Sequence, residues 1–212
     1  SDFVVIARDT KPYEEAFLAA CRENEVSCFI DRRIPLITMP PAVAAVCAVD
    51  MALSLTSDNI LKFLKSGIGI LSPEEIATLE NYVFVWNIKG GDWADEWKMS
   101  AAGLVREEDD LNENTKEELK IINDLRAKAI APVLKFKKDF GETPKEKASA
   151  IIKLFERCDA AKNFKISAEK YKDTNKEMYG ASAQSWSMLM GALDSICACF
   201  GDIQISSKEF YN

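Results

Sequence analysis

The sequence predicts an α/β protein that is mostly helical, with a small parallel strand–helix–strand unit at its start. Residues 3–7 are apolar and rich in β-branched residues, which is typical of a strand, and residues 27–35 are predicted to form a second extended segment. A helical pattern at 12–23 separates them, which is the order of a parallel pair joined by a right-handed crossover. After Pro41, apolar residues recur at steps of three and four, the period of helices. We therefore expect one strand–helix–strand unit followed by helices alone.

The first predicted helix has an apolar stripe. Tyr13, Phe17 and Cys21 follow one another at single helical turns, so they are expected to pack on the two strands. Two strands do not make a stable sheet on their own. The chain also begins at a predicted strand and ends just after a predicted helix start at 206–209. We therefore expect an internal piece of a longer protein, whose other segments complete the sheet.

The later helices are marked by their capping sequences. Residues 72–75 and 143–146 each supply a hydroxyl cap, a proline at the first helical position and a glutamate that completes a capping box. Thr115 opens a similar box without the proline. Gly67 is expected to end a helix in the left-handed conformation. The acidic run at 103–114 predicts an exposed, flexible loop.

Two further expectations concern individual side chains in the helices. Pro132 lies inside a long helical pattern and should disturb its geometry. Trp86 and Trp186 lie on apolar stripes and are predicted core residues. Trp93 and Trp97 stand among acidic residues that would repel phosphate, so we expect them to pack against a helix and not to stack on bases.

Composition excludes several classes of protein. The chain has 212 residues, 48% of them hydrophobic, enough for the core of one or two domains. Its net charge of −7 argues against a general attraction to nucleic acids. No apolar run reaches membrane-spanning length, and no leader peptide is recognisable. Six cysteines without a C-x-x-C pair indicate free thiols in a cytoplasmic protein.

Catalytic signatures are absent from the sequence. It contains no G-x-x-x-x-G-K-[ST] phosphate loop and no histidine, which excludes P-loop binding of ATP and histidine-based triads or zinc sites. Cys197 and Cys199 are two residues apart on a predicted helix and so face different directions. The carboxylates at 107–110 fall in the predicted loop, where converging metal ligands are seldom held. We predict no catalytic residue and no metal site in this chain.

Positive charge is concentrated in one part of the chain. Residues 135–172 have eleven lysines and arginines against six acidic residues, whereas residues 1–134 have fourteen against twenty-three. The candidate DNA-binding residues, which fall outside the apolar pattern there, are Lys138, Lys145, Lys153 and Arg157. Exposed cations of this kind would bind phosphates with little regard to sequence. The alternative, that they only solvate two helices, stays equally open.

Short stretches along nearly the whole chain resemble, in order, the AddB (RexB-type) subunit of bacterial ATP-dependent helicase–nucleases. Those stretches are Val4-Val5-Ile6-Ala7-Arg8-Asp9, Cys28-Phe29-Ile30-Asp31, Leu61-Lys62-Phe63-Leu64-Lys65-Ser66-Gly67, Leu79-Glu80-Asn81-Tyr82-Val83, Ile88-Lys89-Gly90-Gly91-Asp92-Trp93, Ile122-Asn123-Asp124-Leu125-Arg126 and Ser185-Trp186-Ser187-Met188-Leu189. None of them is a catalytic signature. The resemblance rests on their order and coverage.

The resemblance implies a domain organisation and a role. Residues 1–40 would open the second RecA-like, helicase-like domain, and residues 41–212 would form a helical inserted subdomain. The parent would be an ATP-dependent DNA helicase/exonuclease subunit in double-strand-break repair and homologous recombination. This piece would supply scaffold, a surface along the DNA path and contacts to an AddA-type partner subunit. No cofactor is implied for the piece itself, while ATP, Mg²⁺ and an iron–sulfur cluster are implied for the parent.

Arg8 is the one candidate nucleotide-proximal residue. In superfamily 1 helicases the strand that opens the second RecA-like domain ends in an arginine near the nucleotide, and Arg8 has the matching position in the AddB-like stretch. Because AddB-type subunits leave translocation to AddA, we favour a structural role for Arg8. Two alternatives stay open: the corresponding region of a UvrD-type helicase, in which Arg8 would matter for ATP turnover, and a helical interaction module without a DNA role.

Overall fold

The computed structural model describes residues 3–30, 34–101, 113–200 and 203–211, and the regular structure in these ranges is helical. The α-helices are α1 (Glu14–Glu23), α2 (Pro40–Leu53), α3 (Ser57–Lys65), α4 (Pro73–Val85), α5 (Glu113–Asp139), α6 (Pro144–Arg157), α7 (Ala160–Glu169), α8 (Lys176–Phe200) and α9 (Ser207–Tyr211). Short 3₁₀ segments lie at Lys11–Tyr13, Leu36–Thr38 and Gly90–Ala94. Within these ranges, none of the helices is both long enough and apolar enough to cross a membrane.

The predicted parallel strand–helix–strand unit is wrong. The described residues contain no β-strand, although residues 3–7 and 26–30 are not helical. Phe3 is 90% exposed and Phe29 86% exposed. A strand exists only when its backbone groups pair with a neighbour, and β-branched composition does not supply that neighbour. Of the predicted stripe on α1, Cys21 alone is buried, while Tyr13 and Phe17 are exposed.

Contacts divide the chain into two units between Ile34 and Pro35. The first unit has α1 as its α-helix. The second unit contains α2 to α9 and nearly all of the buried apolar side chains. The predicted domain boundary at residue 40 stays a prediction, and the predicted loop at 103–114 lies largely outside the described residues.

Two of the predicted capping boxes are confirmed. In α4, the Ser72 hydroxyl accepts from the Glu75 N–H at 3.2 Å, and the Glu75 carboxylate accepts from the Ser72 N–H at 2.7 Å. Thr143 and Glu146 make the same pair at the start of α6. Gly67 has a φ of +87°, which confirms its left-handed position after α3. These contacts fix where the central helices begin and end.

One expectation about α5 is corrected, and the expected disturbance of its geometry by Pro132 stays a prediction. The helix begins at Glu113, so Thr115 lies inside its first turn and does not cap a later start. Pro132 does not end the helix, which continues to Asp139. A proline removes one backbone hydrogen bond from a helix, and α5 packs against α6.

Helix α2 lies at the centre of the second unit. It contacts α3, α5, α7, α8 and α9. Its alanines allow these close approaches, since Ala44 and Ala48 are completely buried. A helix that is apolar on all sides is stable only in such surroundings. Around it, α6 packs on both α5 and α8 and buries Ile151, Leu154 and Phe155.

The segment after α4 is held by aromatic packing and a small polar network. Trp93 and Trp97 are buried, which confirms that they pack within the protein, and Trp97 stacks on Tyr82 with ring centroids 4.9 Å apart. Asn123 of α5 accepts from the Trp97 N–H and donates to the Trp97 carbonyl, both at 2.9 Å. Arg126 donates to the Trp93 carbonyl at 2.7 Å. The polar residues Asn123 and Arg126 therefore have a structural role.

Candidate nucleic-acid interface

The structure places Arg8 on the first unit, in a non-helical stretch where its side chain is exposed. Just beyond it, the Asp9 carboxylate accepts from the Lys11 N–H at 3.1 Å and so turns the chain into the 3₁₀ segment. These contacts do not show whether Arg8 would lie near a nucleotide. The role of Arg8 therefore stays a prediction.

The predicted DNA-binding residues lie at the end of α5 and along α6. Lys138 is exposed at the last turn of α5. Lys145 and Lys153 are exposed on α6, and both line a shallow depression of about 460 Å³ together with Asp139 and Glu146. The two carboxylates partly offset the two lysine charges there. This surface is consequently less positive than the sequence count suggests.

Arg157 is engaged in an ion pair. Its guanidinium donates to Asp139 Oδ2 at 2.5 Å and ties the end of α6 to the end of α5. That hydrogen bond, together with the positive charges of Arg157 and Lys153, holds the pKa of Asp139 below its ordinary value. Arg157 lines a second depression, whereas its partner Asp139 lines the first.

This second depression is an open groove of about 490 Å³ bounded by α5, the end of α6 and the start of α7. Its cations are Lys128 and Lys135 of α5, Arg157 of α6 and Lys162 of α7, and the carboxylate in its lining is Asp159. We call it the basic groove. Sequence reasoning missed it because these residues are spread over 35 positions and no spacing rule connects them. Only the packing of α5, α6 and α7 brings them to one place.

Hydrogen bonds hold the loop beside the basic groove. Asn163 donates from Nδ2 to the carbonyls of Ile68 and Cys158, both at 2.9 Å, and so fixes the 67–70 loop against α7. Gly69 approaches so closely that a Cβ there would lie 2.4 Å from the Asn163 side chain. Burial raises the pKa of Cys158 to about 12, so its thiol stays protonated at neutral pH.

Lys147 does not belong to any binding surface, although it lies in the predicted basic stretch. Its side chain is 1% exposed. The ammonium donates to the carbonyl of Gly141 at 2.7 Å and to that of Ile205 at 3.0 Å. It therefore fastens the segment before α9 to the α5–α6 connection. Burial lowers the pKa of Lys147, opposed by Glu142 and Glu146.

Another depression, of about 610 Å³, lies between α3 and α4. Its lysines are mostly neutralised, because Lys62 pairs with Asp58 at 2.7 Å and Lys65 pairs with Glu80. In the described part of the chain no group of three histidine, cysteine or acidic side chains is arranged to hold a metal ion. The basic groove is therefore the depression whose charge favours an anionic ligand most clearly.

Comparison with known proteins gives a consistent result. The chain is 33% identical over 182 residues to the AddB subunit of the ATP-dependent helicase/deoxyribonuclease of Clostridium perfringens (strain SM101 / Type A), covering 83% of this chain. It is 30% identical over 216 residues, 99% of its length, to the protein of the same name from Thermoanaerobacter sp. (strain X514). The resemblance to AddB is confirmed. No family model matches the chain.

The AddB-type relatives are much longer than this chain. The chain spans 16% of the Clostridium perfringens protein and 18% of the Thermoanaerobacter protein. The match to the Clostridium botulinum (strain Hall / ATCC 3502 / NCTC 13319 / Type A) protein, at 28% identity, also covers 99% of this chain and 18% of the relative. The AddB-like stretches include residues with a structural role. Leu79, Tyr82 and Val83 of α4 are buried, and Asn123 and Arg126 of α5 hydrogen-bond to the segment after α4.

Proposed function

We propose that this chain acts as a non-catalytic helical part of an AddB-type subunit of an ATP-dependent helicase/nuclease, where it contributes scaffold and a surface along the DNA path. The observation that carries the proposal is the similarity, over 83–99% of the chain, to AddB subunits of ATP-dependent helicase/deoxyribonucleases. Cytoplasmic double-strand-break repair and homologous recombination are the processes in which such a subunit would act.

The distribution of charge supports a DNA-facing surface on α5, α6 and α7. Lys138, Lys145 and Lys153 are exposed there, and the basic groove lies beside them. Elsewhere the chain is acidic, which would keep DNA from other faces. Contacts of this kind position a nucleic-acid backbone and do not read its sequence.

The proposal assigns the chemistry and the partner contact to other parts of the complex. The ATP, Mg²⁺ and iron–sulfur cluster implied for the parent would be bound outside this chain, which has no phosphate loop. An AddA-type subunit would be the protein partner. The exposed Phe3, Ile6 and Phe29 of the first unit are apolar surface available for contact with other parts of such an assembly.

The proposal is tested by the affinity of the 212-residue chain for single-stranded DNA at several salt concentrations. Binding should weaken as salt rises, since the gain in free energy comes from released counterions. A Lys145→Gln/Lys153→Gln variant should bind modestly less well, because Asp139 and Glu146 already offset part of this charge. Undetectable binding at low salt, or binding without a salt dependence, would leave only the scaffold role.

A further inference from the structure

We propose that the basic groove binds the phosphodiester backbone of single-stranded DNA, and that it makes the closest phosphate contacts of this chain. This inference rests on the proposed function and assigns the DNA contact to named residues: Lys128, Lys135 and Lys162, with Arg157 behind them. Lys145 and Lys153, which sequence reasoning favoured, would contribute mainly through the general positive field.

The charges of the two surfaces favour the groove. Once the Arg157–Asp139 ion pair is set aside, three lysines and one carboxylate, Asp159, line the groove, whereas two lysines and one carboxylate, Glu146, line the neighbouring depression. Among the described residues, neither Lys135 nor Lys162 has an ion-pair partner, and Lys128 reaches Glu75 only at 3.8 Å. A concave surface with low-dielectric walls also strengthens the field that cations produce at its centre.

The spacing of the cations favours a chain of phosphates over a single anion. Lys128 and Lys135 are seven residues apart on α5, which places them about 10 Å apart along the helix axis. Lys162 enters from α7 on another side of the groove. Cations spread over this length and over two helices suit successive phosphates of a strand. A single strand can also bend to follow three elements, which a duplex resists over such a short length.

Helix α7 begins at the groove. Asp159, at its N-terminus, has a φ of +50° and makes no side-chain hydrogen bond to the first turn of the helix. The negative charge of Asp159 opposes the positive end of the α7 dipole, so this helix end adds little net charge to the groove. The hydrogen bonds of Asn163 hold the 67–70 loop against α7 beside the groove.

The test compares two charge-matched variants of the full chain. The groove variant is Lys128→Gln/Lys135→Gln/Lys162→Gln, and the control is Lys116→Gln/Lys120→Gln/Lys170→Gln, which removes three exposed lysines from α5 and the C-terminal end of α7. Affinity for a fluorescent oligothymidylate is measured between low and moderate salt. The groove variant should lose about tenfold or more at low salt and its salt slope should fall by about 2, whereas the control should stay near the wild type.

Further measurements distinguish the ways in which the groove proposal could be wrong. A Lys128→Arg/Lys135→Arg/Lys162→Arg variant keeps the charge and should retain binding, which excludes damage to the fold as the cause. Equal losses in the groove and control variants, with salt-dependent binding by the wild type, would overturn the groove but leave the proposed function standing. Competition by inorganic phosphate beyond that of chloride at equal ionic strength would indicate a single-anion site and overturn the phosphodiester assignment.

Discussion

At the scale of single residues, Lys147 shows how burial changes what a positive charge does. Its ammonium donates hydrogen bonds to the carbonyls of Gly141 and Ile205. A Lys147→Met variant keeps most of the apolar stem but removes the donor. We expect it to lower the free energy of unfolding by about 1–3 kcal/mol, because buried acceptors lose their partner.

The measurement for Lys147 is a urea titration followed by circular dichroism. Lys145→Met is the matched control, since Lys145 is exposed two residues earlier on α6 and should change stability by less than about 0.5 kcal/mol. Similar urea midpoints for the two variants would contradict the structural role of Lys147. Lys147 would then count among the lysines that can contact DNA.

Glu146 makes the stability of the chain depend on pH. Its carboxylate accepts from the N–H groups of Thr143 and Glu142, which lowers its pKa below the ordinary value of 4.5. The folded state therefore holds this proton less tightly than the unfolded state does, so stability rises with pH in this range. The contribution is fully present above about pH 4.5 and is lost as the pH falls through the lower, folded pKa.

A Glu146→Gln variant should therefore be less stable than the wild type at pH 7, and the difference should shrink towards pH 3. Urea titrations at several pH values between these limits test it. A difference that stays constant with pH would mean that the charge of Glu146 does not contribute. Glu156→Gln, at an exposed position near the other end of α6, is the control.

At the scale of elements, the capping residues give a direct test of the helix boundaries. Ser72→Ala and Thr143→Ala should each lower the free energy of unfolding by about 0.5–2 kcal/mol, because each removes a hydroxyl that accepts from the first turn. Thr115→Ala should cost little or stabilise the chain slightly, since Thr115 lies inside α5 and alanine is the better helix former. A cost for Thr115→Ala equal to the others would place the start of α5 at residue 116.

These same elements show which parts of the fold the sequence could predict. Capping boxes are local, so Ser72 and Thr143 mark their helices whatever packs around them. The strand at 3–7 could not be judged in this way, because a strand depends on a distant partner that composition does not identify. The predicted helix start at Thr115 was wrong for a related reason. The capping-box sequence there is a good local signal, but α5 already begins at Glu113.

The candidate site was only partly predictable for the same physical reason. The sequence showed that residues 135–172 are basic, and Lys138, Lys145 and Lys153 are exposed as expected. It could not show that Lys147 turns inward. Nor could it show that Lys128, before the basic stretch, joins Lys162 at one groove. Both facts depend on how α5, α6 and α7 pack, and not on spacing along the chain.

At the scale of the whole molecule, the capacity to bind an anion is distinct from the capacity to catalyse a reaction on it. The chain has a net charge of −7, yet its α5–α7 region has lysines and an arginine around one groove. Such an arrangement can bind a polyanion without acting on it, because cations neither hold Mg²⁺ nor activate a water molecule as a general base. Binding of DNA by this chain therefore does not predict its cleavage.

We accordingly expect the 212-residue chain to hydrolyse neither ATP nor DNA by itself. The sequence lacks a phosphate loop and any histidine, and the described ranges lack a cluster of metal-ligating side chains. The measurements are phosphate release from ATP and cleavage of labelled single-stranded DNA, each with and without Mg²⁺. Traces of a contaminating enzyme would vary in specific activity between purification steps. Constant, Mg²⁺-dependent turnover that one substitution in the chain abolishes, with DNA affinity unchanged, would show that a catalytic site is present after all.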